Sequence, residues 1–353
     1  MASSDTSLAP AGAPMGAAAG PGRTRRPGWA LLAALLLGIA VGALVWRARA
    51  HAPVLAPLPV RIATSPKVVA TTTYLAAEDG SFARAGITAS LHPYPSGTAT
   101  LAALAAGEVD LATAAETPIM HALLGGSDLV IVATLATASG SLKLVGRKDR
   151  GIAALSDLVG RTIAVTHHTN TEYFLHNLLV VNGLDPAATT HVHLAPDRLA
   201  AALEAGEVDA VVSWDSFILP LAAALGDNAA IFSGEGIYSY SWNLVGRRGW
   251  VEANQQAVER VLVGLRAATA TANQDKTRTI ADFAARTLHF APAVVALLGG
   301  YEFTVALDQS LLMNLENQAR WARAGAAPNF LPAIDPRPLL AVHPEAVTVI
   351  HGR

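Results

Sequence analysis

A nine-residue echo constrains this chain more than any other feature of it. Residues 104–112 read LAAGEVDLA and residues 203–211 read LEAGEVDAV, an offset of 99. Each copy reads as a helix ended by a glycine, Gly107 or Gly206, then a turn into a buried strand. A second echo, LVGR at 144–147 and again at 244–247, has an offset of 100. One αβ unit therefore recurs, and the stretch between the LVGR copies is about the size of a lobe. The simplest architecture is two α/β lobes, the second inserted into the first, with the LVGR segments as the strands that cross the hinge. Two packed αβ units without a cleft are the plainer alternative.

The surrounding pattern agrees with an α/β class. Short apolar runs at 62–64, 87–91, 109–113 and 129–133 read as strands, and 69–77, 98–106 and 118–124 as the intervening helices. Strands alternating with helices predict a parallel sheet covered on both faces. Hydrophobic residues make up 52% of the 353 and charged residues 15%, which excludes a disordered chain and a coiled coil. A net charge of −2 offers nucleic acid no global attraction. The absence of cysteine excludes disulfides, thiolate metal sites, iron–sulfur clusters and cysteine nucleophiles.

Charge is uneven along the chain. Residues 1–60 hold five arginines against Asp5, while the remainder carries 20 basic and 26 acidic residues. Residues 1–28 are expected to be a disordered basic N-terminus. An uncharged run follows at 29–46, bounded by Trp29 and Trp46. As a helix it would span ~27 Å, near the hydrocarbon thickness of a bilayer. Arginines before it outnumber those after it, which orients the N-terminus toward the cytoplasm. The run is expected to be a transmembrane anchor or the hydrophobic region of an export signal. Ala48-Arg49-Ala50 offers a cleavage pattern, and Arg25-Arg26 a weak twin-arginine feature. A Pro-rich linker is expected at 51–60.

Extending the first echo locates a candidate site. At the same offset Ala114-Ala115-Glu116-Thr117 matches Ser213-Trp214-Asp215-Ser216, both where a strand ends and a helix begins. Ligands of open α/β sheets bind at that carboxyl edge. Glu116 and Asp215 are candidates to face each other across a cleft, and helix capping accounts for the same residues. His168-Thr169-Asn170 precedes an apolar-periodic helix, and Ser96-Gly97-Thr98 opens another. Both helix N-termini present free N–H groups suited to an anion. Trp214, Tyr240 and Trp242 are candidate flat walls, or core. His191 and His193 share a strand face near His167 and His168, but no carboxylate stands at a telling spacing, so no metal is expected. There is no GxSxG elbow, Walker loop or GxGxxG, so neither a catalytic residue nor a nucleotide cofactor is expected.

Several segments carry a family resemblance. LAALAAGEVDLATAAETP at 101–118, LSDLVGRTIAVTHHTNTEYFL at 155–175, LAAALEAGEVDAVVSWD at 199–215 and GWVEANQQAVERVLVGLRAA at 249–268 resemble the periplasmic substrate-binding proteins of ABC importers for nitrate, sulfonates, taurine and thiamine-pyrimidine precursors. The resemblance covers about residues 60–350. It implies a type II periplasmic binding protein fold after the N-terminal membrane segment, with lobe one at 61–143 and 247–353 and lobe two at 144–246. It implies a non-enzymatic receptor without cofactor: a periplasmic monomer, tethered or released, that closes on a small ligand and delivers it to an ABC permease and its ATPase. An enzyme on the same fold and a membrane-tethered sensor are the alternatives. Two departures stand out. Ser65-Pro66-Lys67-Val68 lies where the family often has an aromatic residue, and His168-Thr169 where it commonly has Gly-Thr. The expected ligand-binding set is Ser65, Lys67, Ser96, Gly97, Thr98, Glu116, His168, Thr169, Asn170, Trp214, Asp215 and Trp242. Anion-seeking helix ends combined with two carboxylates predict a zwitterion, such as an aminosulfonate, over nitrate.

Overall fold

In the computed structural model the described residues are 36–38, 41, 56–296, 298, 300–323 and 328–349. The expected basic tail and nearly all of the 29–46 run lie outside them. Among the described residues no helix is long and apolar enough to cross a membrane. The described residues from 56 onward form one compact unit.

The strands, in chain order, are β1 (Leu58–Thr64), β2 (Ile87–Pro93), β3 (Leu111–Ala115), β4 (Leu129–Ser139), β5 (Leu142–Arg147), β6 (Thr162–Val165), β7 (Thr190–His193), β8 (Ala210–Trp214), β9 (Ala229–Ser233), β10 (Ser239–Arg247) and β11 (Gly300–Ala306). Six form one sheet in the order β11-β4-β10-β3-β1-β2, and five form a second in the order β7-β6-β8-β5-β9. The chain leaves the first sheet at Ser139 and returns to it at Ser239. Residues 239–246, expected with the second lobe, therefore pair in the first sheet, and 58–60, expected as linker, already belong to β1.

Neither sheet is purely parallel, contrary to the alternation pattern. β1 pairs in parallel with β2 and β3, and β6 with β7 and β8. β10 runs antiparallel to β3, and β5 antiparallel to β8. β5 and β10 each follow a passage between sheets and enter directly, not through a crossover helix, and β11 is also antiparallel to its neighbour β4.

The two echoes explain each other through this pairing. Gly246 lies opposite Leu111, and Gly146 opposite Ala210, so each LVGR copy pairs with the strand that follows GEVD in its own sheet, in the same register. The LVGR segments are thus the far ends of β5 and β10. The passages themselves are Gly140–Ser141 and 234–238, which corrects their assignment as the hinge-crossing strands. Glycine is required at both copies because a Cβ would lie 2.5 Å from Ile152 Cγ2 at Gly146 and 2.4 Å from Val251 Cγ2 at Gly246. The arginines close the unit. Arg147 donates to Glu204 O at 2.8 Å, and Arg247 to Val109 O at 3.2 Å and to Leu104 O. Cations at helix C-terminal carbonyls are favoured by the helix dipole.

The aspartate of each GEVD copy has a matching task. Asp110 accepts the backbone N–H of Arg61 and Asp209 that of Thr162, each at 2.8 Å. Each carboxylate thus anchors the neighbouring parallel strand. Gly107 and Gly206, at φ of 78° and 74°, end their helices in the left-handed conformation that glycine adopts without a Cβ penalty. Ile62, Leu104, Leu111, Ile131 and Leu144 are fully buried between these layers.

Candidate functional site

The carboxyl ends of the parallel strands carry the candidate residues. The loop after β1 holds Ser65 and Lys67; β2 leads to Ser96, which caps the Gly97–Ala106 helix by accepting from Ala99 N at 3.2 Å. Gly97 permits that helix to sit close to the sheet, since a Cβ would meet Ala114 Cβ at 3.1 Å. The loop after β6 leads to Thr169, whose side chain accepts from Thr171 N at the head of the Asn170–Val181 helix. Such caps contribute about 1 kcal/mol.

Residues from the two sheets meet here. Lys67 Nζ lies 3.2 Å from the centroid of the Trp214 ring, and Trp214 Nε1 donates to Asn170 Oδ1 at 3.0 Å. Thr98 Oγ1 donates to His168 O at 3.2 Å. Lys67, Trp214, Asn170 and Trp242 are all buried. Among the described residues Ser65 Oγ, Thr166 Oγ1, Asn170 Nδ2 and Trp242 Nε1 are buried without a hydrogen-bond partner. Native interiors leave few such atoms, and ten others among the described residues, from Thr72 Oγ1 to Gln318 Oε1, share that state. Thr166 was not in the expected set. Its position after β6 was the available signal.

Lys67 carries the dominant electrostatic feature. It is 4% exposed, and burial alone pushes its ammonium down to about 7. The contact it makes is with an indole face, not a carboxylate. Cation–π attraction offsets part of the desolvation cost, and a buried cation is ordinarily paired.

The two carboxylates expected across the cleft have protein partners instead. Glu116 accepts from Ser241 N at 2.8 Å, Ser241 Oγ at 3.0 Å, Gln318 Nε2 at 2.9 Å and Tyr238 Oη. Burial holds its pKa above the usual carboxylate value, and these donors offset only part of that rise. Asp215 accepts from Tyr301 Oη at 2.8 Å and from Lys143 Nζ, and its backbone N–H donates to Ser141 O at 2.9 Å. Tyr301 and Tyr238 are pushed well above the usual phenol range by burial first and by the adjacent carboxylates. Lys67 is therefore not the counter-charge to either acid.

His168 departs from ordinary backbone geometry. Its φ of 53° is in the left-handed region that favours glycine. The bend is thus made here with a side chain present. The imidazole lies between His167, at a centroid distance of 3.7 Å, and His121, at 4.3 Å. His121, on the Glu116–Leu124 helix, is pushed down to about 4, chiefly by burial. A cleft of about 440 Å³ opens beside this stack, lined by Ser96, Thr98 and Ala102 on one side and Thr166, His167 and His193 on the other. Contrary to the sequence reading, a carboxylate does join the histidines: Glu172 contacts both His167 and His193.

Residues 68–278 match the NMT1/THI5-like family. The chain belongs to that family. Among curated proteins this NMT1/THI5-like chain is 28% identical over 141 residues to the taurine-binding periplasmic protein of Escherichia coli K12, covering 40% of this chain and 43% of that one. It is 25% identical over 205 residues to the putative aliphatic sulfonates-binding protein of the same organism, covering 58% and 63%. The matches thus span less than two thirds of either relative. Among solved structures, the alkanesulfonate-binding protein SsuA from Xanthomonas axonopodis pv. citri, bound to MOPS, aligns with a TM-score of 0.69 at 22% identity. That alignment covers 80% of this chain and 99% of that one, which shows the periplasmic binding protein fold.

Proposed function

We propose that this chain is the solute-binding component of an ABC importer and that its ligand is a small organic anion of the sulfonate class, seated at Lys67. The observation that carries this is the buried Lys67 ammonium, whose contact is the Trp214 ring and not an acid. An anionic ligand supplies the missing countercharge, and a charge-assisted bond in a desolvated site is stronger than its surface equivalent. Ser65, Thr166, Asn170 and Trp242 offer the remaining polar contacts, and the two indoles offer walls for a short carbon chain. Ser96, Thr98, His168 and Thr169 shape the rim where the two sheets meet.

This reading revises the expected ligand charge. With Glu116 and Asp215 held by protein donors, nothing in it demands an amine on the ligand. The sulfonate- and taurine-binding relatives support the anion class. The two sheets then act as lobes that close on the ligand about the passages at Gly140–Ser141 and 234–238, a motion of the hinge type. A periplasmic location, export or anchoring through residues 29–46, a monomeric state, and delivery to a permease and its ATPase belong to the same proposal.

The test is a thermal-shift panel on the full chain with taurine, short alkanesulfonates, nitrate, amino acids and pyrimidines, followed by calorimetry on hits. A ligand at 100 times its dissociation constant should add about 2.7 kcal/mol. A sulfonate hit that Lys67→Met weakens roughly ten- to a hundredfold is the expected result. Binding restricted to neutral or cationic compounds, or sulfonate binding indifferent to Lys67→Met, overturns the reading.

A further inference from the structure

The turn after β6, the first turn of the Asn170–Val181 helix and the end of β7 bring together three side chains that the solute site does not use. Glu172 Oε1 lies 3.2 Å from His167 Nδ1 and 2.8 Å from His193 Nε2, and all three ligand atoms fall within 4.8 Å of one another. We propose that His167, Glu172 and His193 form a binding site for a divalent transition-metal ion of the zinc class. The proposal stands independently of the solute reading.

Two of the three separations suit such an ion, and the third is under 4.8 Å. With metal–ligand bonds of about 2.0–2.1 Å, adjacent ligand atoms of a tetrahedral site are roughly 3.3 Å apart. The two observed separations need little adjustment to reach that spacing. Two imidazoles with one carboxylate suit zinc, cobalt or nickel, whereas calcium and magnesium prefer all-oxygen shells.

The carboxylate is also held in place. Its second oxygen, Oε2, accepts the backbone N–H of His168 at 2.7 Å. The donor residue, His168, is itself in the left-handed conformation, which is uncommon for a residue with a side chain. A partner that fixes a ligating carboxylate is a recurrent feature of metal sites. His193 arrives from a different element. It lies opposite Val165 in the parallel β6–β7 pair, so the strand register sets it beside the turn that begins after Val165.

Three protein ligands leave one tetrahedral position open, as in sites that accept water or an exogenous donor. His167 and His193 both line the cleft of about 440 Å³ whose other wall is the start of the Gly97–Ala106 helix. His167 and His193 are half-exposed at 53% and 46%, so an ion has access without unfolding.

The experiment is titration of the untagged full chain with zinc chloride by calorimetry, with cobalt absorption as a coordination readout. One equivalent of zinc should bind, and cobalt should give the visible bands of a four-coordinate N/O site. His167→Gln, Glu172→Gln and His193→Gln should each weaken binding by at least about tenfold. His191→Gln, on the same strand but outside the cluster, should leave it unchanged. Far-UV circular dichroism identifies any variant that fails to fold, and the remaining variants then decide. Absence of stoichiometric binding, or equal loss in His191→Gln and His193→Gln, overturns the proposal.

Discussion

Glu116 and Asp215 stand 99 residues apart at equivalent strand ends, and each carboxylate holds one of the two passages between the sheets. Glu116 takes the N–H and hydroxyl of Ser241 together with the Tyr238 hydroxyl, at the passage that leads into β10. Asp215 takes Lys143 at the passage that leads into β5, while its own N–H binds Ser141 O. The echo in the sequence thus becomes a pair of matched clamps. Each also reaches a C-terminal element of the first sheet's layer: Glu116 through Gln318 and Asp215 through Tyr301 on β11.

Removing either clamp should therefore cost stability before it affects ligand contact. Glu116→Ala strands several buried donors, each worth roughly 1–3 kcal/mol when orphaned. Asp215→Asn removes the charge partner of Lys143, and breaking a buried pair costs about 3–5 kcal/mol. Both variants should show a clear drop in denaturant midpoint. A variant that keeps wild-type stability yet loses ligand affinity would instead place that carboxylate in the site.

The echo made the repeated αβ unit legible, because Gly, Asp and Arg at fixed offsets do local work in both copies. Ser96 and Thr169 were legible for the same reason: a cap is a property of four adjacent residues. The partners of Glu116 were not, since Tyr238, Ser241 and Gln318 lie 122 to 202 residues away and no local pattern announces them. The histidine cluster was half legible. The sequence placed His167 near the His191-x-His193 strand face; what it missed was Glu172, which meets both histidines only through the turn after β6 and the register of β6 on β7.

The two LVGR glycines give a packing prediction. Alanine at Gly246 would place its Cβ against Val251 Cγ2, and at Gly146 against Ile152 Cγ2. Overpacking of this kind costs about 1–3 kcal/mol. Gly246→Ala should lower the melting temperature, and adding Val251→Ala should recover part of the loss beyond additivity. Strict additivity in that double-mutant cycle would show that the glycine acts through backbone freedom alone.

Lys67→Met separates ligand charge from fold. It removes a buried cation and keeps an unbranched chain over the Trp214 ring, so stability should hold or rise. Sulfonate affinity should fall by the worth of a charge-assisted hydrogen bond, about 1.5–3 kcal/mol, or roughly ten- to a hundredfold. Calorimetry beside a melting curve reads both quantities, and a large stability loss would point to a structural lysine instead.

The depressed Lys67 ammonium also fixes the sign of the pH dependence. Its folded value of about 7 lies below that of an unfolded lysine, about 10.4. Between those limits the unfolded chain holds a proton that the folded, ligand-free protein lacks. Stability from this group therefore rises with pH across that window and falls as pH drops toward 7. Ligand binding runs the other way. An anion at Lys67 favours the charged amine, so binding above pH 7 takes up a proton, and affinity should weaken with rising pH toward a limit of about tenfold per unit. Below pH 7 the amine is already charged and affinity should level off with respect to this group. Calorimetry of a sulfonate ligand in buffers of different ionisation enthalpy should show proton uptake near one at about pH 8.5 and little at about pH 6. In Lys67→Met that uptake should vanish. Affinity that stays flat from about pH 6 to 9, or uptake that survives the substitution, would remove Lys67 as the anion's partner.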